Sequence, residues 1–199
     1  MNNNCTIYLT RHGETDWNAQ KLLQGHSDIP LNGRGELQAK VLGEQFENIN
    51  FEAAFSSDLI RAKRTAEIII FEKKLAVITT KALRERLFGR FEGQHASNLR
   101  KVFDEFINVS IKQQKESEFD DIENNEEIIF RLIPFIREVA VGYPGKNVLM
   151  VAHGGLIKVF LDHIGHKIPT YAEKPMKNTG YIIIESDGVE FEVKEDRLF

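Results

Sequence analysis

Apolar positions along this chain alternate between short continuous runs and longer stretches spaced at three and four residues. Thr6-Ile-Tyr-Leu-Thr10 has the length and composition of a strand. After a loop through Asp28-Ile-Pro30, the Asn32-Gly-Arg-Gly35 lead-in opens a helix in which Leu37, Ala39, Val41, Leu42 and Phe46 recur at helical spacing. Ala53-Ala-Phe-Ser-Ser57 predicts a second strand, with Asp58 as N-cap of a helix carrying Leu59, Ala62, Ala66 and Ile69. Leu75 to Thr79 predicts a third strand, and Leu83 to Gly93 an irregular loop punctuated by glycines. Glu126 to Val141 is strongly helical apart from Pro134. Asn147 to Ala152 is almost wholly apolar, as expected of a strand covered on both faces. Gly154 to Ile164 predicts another helix. Gly180 to Glu185, a Ser186-Asp-Gly188 turn and Val189 to Val193 predict a closing hairpin.

Strands alternating with helices imply an α/β fold, a three-layer α/β/α sandwich around a mainly parallel central sheet. The 199 residues are expected to form a single domain, 1–199. Its one variable, lid-like stretch is at about 95–127, where a polar, mixed-charge sequence carries a partial helical stripe of Leu99, Val102, Phe103 and Phe106.

Composition narrows the function. The chain is 42% hydrophobic and 28% charged, with a formal net charge of −4, and no run approaches the apolar length of a membrane span. Neither nucleic acid nor membrane is an expected partner, because a polyanion is usually met by a basic face. An anionic substrate would need a local positive pocket. Met1-Asn-Asn-Asn-Cys5 lacks the basic and apolar regions of a signal peptide, so a cytoplasmic protein is expected. The single cysteine, Cys5, is expected to be a buried, inert thiol.

Chemistry-bearing residues gather where strands end. Arg11-His12-Gly13-Glu14-Thr15 follows the first strand, Arg61 lies in the first turn of the helix after the second, Glu85 follows the third, and His153-Gly154-Gly155 follows the strand ending at Ala152. In such sheets ligands bind beyond the carboxyl ends of the strands, so four separate segments point to one rim. Neutral imidazole can hold a phosphoryl group covalently, and guanidinium groups grip phosphate oxygens through paired hydrogen bonds. Gly13 would allow a ligand or another backbone to approach closely.

These motifs are Arg-His-Gly-Glu-Thr with Trp17-Asn18 behind it, Ser-Asp-Leu-x-Arg-Ala-x-x-Thr-Ala at 57–66, Leu-Arg-Glu at 83–85 and Ala-His-Gly-Gly at 152–155. In that order the chain resembles the histidine phosphatase superfamily, the phosphoglycerate mutase-like proteins. The resemblance implies that His12 is the nucleophile, that Arg11, Arg61, Asn18 and His153 surround the phosphoryl oxygens, and that Glu85 is the general acid and then the general base. Gln24, in a Gln-Gly pair, is a further phosphate-binding candidate. It implies a small phosphorylated substrate and neither cofactor nor metal. The other histidines, His26, His95, His163 and His166, match no catalytic position, and His163-x-x-His166 lacks the third ligand of a zinc site.

Within the family, the short chain and the apolar Leu87-Phe88-Gly89 after Glu85-Arg86 resemble the small phosphatases, and the 95–127 segment carries no Arg-Arg pair of the kind that holds the mutase substrate. Phe88 and Phe91 are expected to wall the leaving-group side. Phe103, Phe106 and Phe119 either cover the substrate or form a helix packing face. Ile122-Glu123-Asn124 replaces the Gly-Glu-Ser of many phosphatases. The alternatives are a cofactor-dependent phosphoglycerate mutase and a non-catalytic phosphate-binding module. Oligomeric state is open.

Overall fold

The computed structural model describes residues 3–98, 120–169 and 175–199. Among them, six strands form one sheet: β1 (Cys5–Arg11), β2 (Phe51–Ser57), β3 (Val77–Thr80), β4 (Asn147–Ala152), β5 (Tyr181–Ser186) and β6 (Phe191–Arg197), in the order β3-β2-β4-β1-β5-β6. The first four strands run parallel, and the C-terminal hairpin β5–β6 adds to β1 antiparallel. The expected mainly parallel sheet is therefore present.

Side-chain alternation along the central strands builds two cores. Cys5, Ile7 and Leu9 of β1, with Val148, Met150 and Ala152 of β4, face α4 (Asn125–Gly142) and α5 (Gly154–His163), where Ile128, Leu132, Ile136, Leu156 and Phe160 complete the layer. On the other face, Tyr8, Leu149 and Val151 meet Leu42 of α2 (Gly33–Gln45), its C-cap Phe46, and Ala62, Ala66 and Ile69 of α3 (Ile60–Ile69). Both faces of β4 are thus covered, which is why its sequence is apolar from Val148 onward. Cys5 is fully buried, and burial pushes its thiol up to about 11. Among the described residues no helix is long and apolar enough to cross a membrane.

Three local expectations are corrected. A four-residue helix, α1 (Asp16–Ala19), stands where a loop was expected; it is closed by a capping box in which Thr15 and Asn18 satisfy each other's backbone. Asp58 does not cap α3: the N-cap is Leu59, and the Ile60 N–H donates instead to Asp28 Oδ1 at 2.6 Å, while Asp58 pairs with Arg84. The third strand begins two residues late, at Val77. Pro134 lies inside α4 without ending it.

Candidate active site

β1 and β4 are adjacent parallel strands in which Arg11 stands opposite Ala152, so the next residue on each, His12 and His153, leaves the sheet side by side. Their ring centroids are 5.0 Å apart. Both rings are buried, and the His12 N–H donates to the Ala152 carbonyl at 3.0 Å. Gly13 lies beneath them against α2: a Cβ there would sit 2.4 Å from the Gly35 carbonyl oxygen, so the close approach is to backbone.

One hydrogen bond sets the state of His12. Its Nδ1 lies 2.7 Å from the Gly13 carbonyl, and because a carbonyl only accepts, Nδ1 carries the proton and Nε2 keeps its lone pair. Burial, then the charges of Arg61 and Arg11, hold the His12 imidazole well below the usual histidine range. His153 is held low by burial first, then by Arg61 and His12. Two neutral imidazoles therefore sit beside guanidinium groups.

Arg61 is fully buried. Its two terminal nitrogens each donate to the turn after α1, to the carbonyls of Ser27 and Gly25, both at 2.7 Å. Arg11 donates one terminal nitrogen to the Met176 carbonyl. What remains is a set of buried polar atoms without a protein partner: Nε of Arg61, Nε of Arg11, both ring nitrogens of His153 and Oε1 of Gln24. Buried polar atoms are nearly always satisfied, so the two guanidinium Nε–H groups and the one N–H of the neutral His153 ring, left unpaired together, mark a place shaped for an acceptor, while Gln24 Oε1 is itself an acceptor there.

Glu85 closes this group from the β3 side. Its carboxylate accepts the Gly155 and Leu156 N–H groups, both at 3.0 Å, at the first turn of α5. A residue other than glycine at 155 would place its Cβ 2.6 Å from Glu85 Oε1. A distant carboxylate thus does the capping that the N-cap residue His153 does not do, which leaves the His153 ring to the pocket. Glu85 is also the leading charge that offsets the effect of burial on Arg61, whose guanidinium is pushed down to about 10. The flanking arginines make their side-chain hydrogen bonds elsewhere, Arg84 to Asp58 and Arg86 to the Glu123 carbonyl and Asn125, although Glu85 is also the leading charge acting on Arg86.

Residues 7–196 match the histidine phosphatase superfamily (branch 1). The chain belongs to this superfamily. The uncharacterized phosphatase PhoE of Bacillus subtilis (strain 168) is 34% identical over 189 residues, covering 95% of this chain and 92% of that protein. A probable phosphoglycerate mutase, GpmB of Klebsiella pneumoniae (strain ATCC 700721 / MGH 78578), is 32% identical over 171 residues, 86% of this chain and 79% of that one. The crystal structure of a phosphoglycerate mutase from Bacillus anthracis str. Sterne superposes with a TM-score of 0.82 at 28% identity, covering 98% of this chain and 93% of the other.

In this member of the superfamily the structure brings His12, His153, Arg11, Arg61 and Glu85 together. Gln24 is buried in the adjoining turn. Asn18 is oriented by its neighbours: its Oδ1 accepts from Thr15 within the capping box and from Asn178 Nδ2 at 3.3 Å, so its NH2 is the end left over. Asn178, which sequence reasoning missed, also donates to the His12 carbonyl at 3.1 Å. The next residue, Thr179, has φ of 57° and donates its N–H to the Arg11 and His12 carbonyls. A β-branched residue in the left-handed region is strained, and its hydrogen bonds to the Arg11–His12 segment hold it there. His26, dismissed from the sequence, bonds the Glu85 carbonyl through Nε2 at 2.9 Å, and Arg131 reaches the same carbonyl at 3.2 Å. Such partners are tertiary; no spacing in the sequence signals them.

Asn124 is the N-cap of α4, accepting the Glu127 N–H at 2.9 Å in a full capping box. Asparagine and serine serve equally there, so the missing serine leaves the helix start intact. Phe88 is buried and Phe91 half-buried under the Arg90 guanidinium. His95 is exposed and bonded to Ser97, and His166 pairs with Asp196. Among the described residues no three potential ligands gather in a way that could hold a metal ion. Leu99, Val102, Phe103, Phe106 and Phe119 lie outside the described residues.

Proposed function

We propose that this protein is a phosphomonoesterase for small phosphorylated metabolites, working through a phosphohistidine on His12. The observation that carries the reading is the neutral His12, with its Nε2 lone pair free, facing buried guanidinium and imidazole nitrogens that have no protein acceptor. In the first step Glu85, having taken up a proton from solvent as the dianionic ester binds, gives it to the departing oxygen while His12 Nε2 bonds to phosphorus and the ester P–O bond breaks. In the second, water attacks phosphorus, its proton passes to Glu85, and the P–N bond breaks to restore the imidazole. Arg11, Arg61, His153 and the NH2 of Asn18 stabilise the equatorial oxygens throughout, with Gln24 as a further contact.

Hydrolysis is favoured over mutase chemistry by where the nearby arginines are spent. A mutase must hold a second anionic group of its substrate, and Arg84 and Arg86, the cations flanking Glu85, are committed to Asp58 and to Glu123 and Asn125. The mutase reading has its own support in the relative named a probable phosphoglycerate mutase. Turnover of p-nitrophenyl phosphate, with and without EDTA, measured beside isomerisation of 3-phosphoglycerate, separates the two. Hydrolysis indifferent to EDTA and inhibited by vanadate is expected, since vanadate adopts the five-coordinate geometry of the transfer. Isomerisation outpacing hydrolysis would replace this reading with the mutase, and an absence of both would leave a phosphate-binding module.

A further inference from the structure

Arg61 sits on α3 and Glu85 follows β3, and no hydrogen bond joins them directly. What connects them is the turn Gln24–Ser27. Arg61 grips the turn through the Gly25 and Ser27 carbonyls. From the same turn, the His26 ring reaches the Glu85 carbonyl. The phosphate-binding cation and the proton donor are therefore spaced by three residues of backbone.

That backbone is held by one carboxylate that the transfer scheme does not use. Glu92 Oε1 accepts the N–H groups of His26 at 2.9 Å and Phe88 at 3.2 Å, and Oε2 accepts the Ser27 N–H at 2.8 Å and hydroxyl at 2.6 Å. Contact is tight: Gly25 has φ of +51°, and a Cβ there would lie 2.1 Å from Glu92 Oε1. The turn is thus clamped with its carbonyls on a guanidinium and its N–H groups on a carboxylate, and Glu92 adds its charge to those that offset burial at Arg61. An acceptor of four hydrogen bonds cannot be lost without freeing the turn, and displacement of about 1 Å in a catalytic constellation costs about 100-fold in rate.

We propose that Glu92 is a positioning residue that sets Arg61 and Glu85 in one frame by holding the turn between them, an inference that rests on the phosphatase reading above. The test is Glu92→Gln, which keeps the shape but turns one acceptor into an NH2 facing N–H donors, with Glu92→Asp as a second variant should the first not fold. The kinetics of p-nitrophenyl phosphate and of an alkyl phosphate, vanadate inhibition and the thermal midpoint are compared with the parent. Because the nitrophenolate needs little protonation, misplacing Glu85 should cost about 100-fold in kcat on the alkyl ester and about 10-fold on the nitrophenyl ester. Displacing Arg61 should weaken vanadate inhibition by about 10-fold, and Glu92→Asp should recover part of each loss. A lower thermal midpoint with both esters and vanadate unaffected would overturn the proposal, as would equal losses on the two esters. If the parent hydrolyses neither ester, the phosphatase reading fails and takes this inference with it; parent turnover with unaltered variant kinetics overturns the inference alone.

Discussion

Two buried arginines, 25 positions apart, show how differently this fold treats the same side chain. Arg61 and Arg86 are among the largest fully buried side chains, and burial pushes both guanidinium groups down to about 10. Around Arg86 acceptors are plentiful: the Glu123 carbonyl, Asn125 Oδ1, and the Glu123 carboxylate that binds Arg131 through two nitrogens at 2.6 and 2.8 Å. Around Arg61 the buried nitrogens without a protein partner come as a cluster, its Nε beside that of Arg11 and the ring of His153, and among the described residues the guanidinium hydrogen-bonds no carboxylate, only the Gly25 and Ser27 carbonyls. Buried charge with acceptors is architecture; buried charge with surplus donors waits for an anion.

The sharpest way to break this contrast is His12→Ala, which should abolish phosphoenzyme formation and lower turnover by at least about 10⁴-fold, measured with p-nitrophenyl phosphate and acid-labile phosphate trapping. Arg61→Ala should cost about 10²- to 10³-fold in kcat. It should also move the acid limb of kcat/KM upward. Both histidines are held low partly by the Arg61 charge, so removing it raises their affinity for protons and protonates His12 at a higher pH. An acid limb that stays put would show that the guanidinium does not face the imidazoles.

On the other side of the comparison, Glu123→Ala should act on stability. Leaving Arg131 without its bidentate partner should cost about 2 kcal/mol, read from the urea midpoint, with a smaller loss of turnover than Arg61→Ala. The reverse ranking would move the Arg86 cluster into the site. Acid sensitivity sharpens the contrast further. Unfolded imidazoles take up protons near pH 6.5, whereas buried His12 and His153 stay neutral to lower pH, so their contribution is full above 6.5 and is lost as pH falls. Each adds about 1.4 kcal/mol per pH unit to the slope in that window, and His12→Ala should remove one share. Smallest is the helix start: Asn124→Ala should cost about 1 kcal/mol and Asn124→Ser only a few tenths.

What could be read from the sequence was whatever one segment decides alone. β1 and β4 announced themselves as apolar runs, and the residues just beyond their ends, His12 and His153, were legible as neighbours because parallel strands end on one rim. Arg61 and Glu85 were legible for the same reason. Asp58 was misread because the acceptor at the start of α3, Asp28, comes from 32 residues upstream. The helix α1 was missed for lack of an apolar stripe, although Thr15-x-x-Asn18 has capping-box spacing. Asn178, His26 and Glu92 were illegible because each acts only across a contact between distant loops, and polar loop residues are common enough to conceal one that has a job.

The His12–His153 pairing has a consequence for how the protein comes into being. The two rings are separated by most of the chain and are brought together by the lateral register of β1 on β4, a pairing whose long loop closure is expected to make it slow to form. A strand slip of one step would rotate one ring into the opposite layer. Recovery of enzymatic turnover after dilution from denaturant would therefore serve as a clock for that single long-range pairing, and a nascent chain still lacking its last third would be chemically silent.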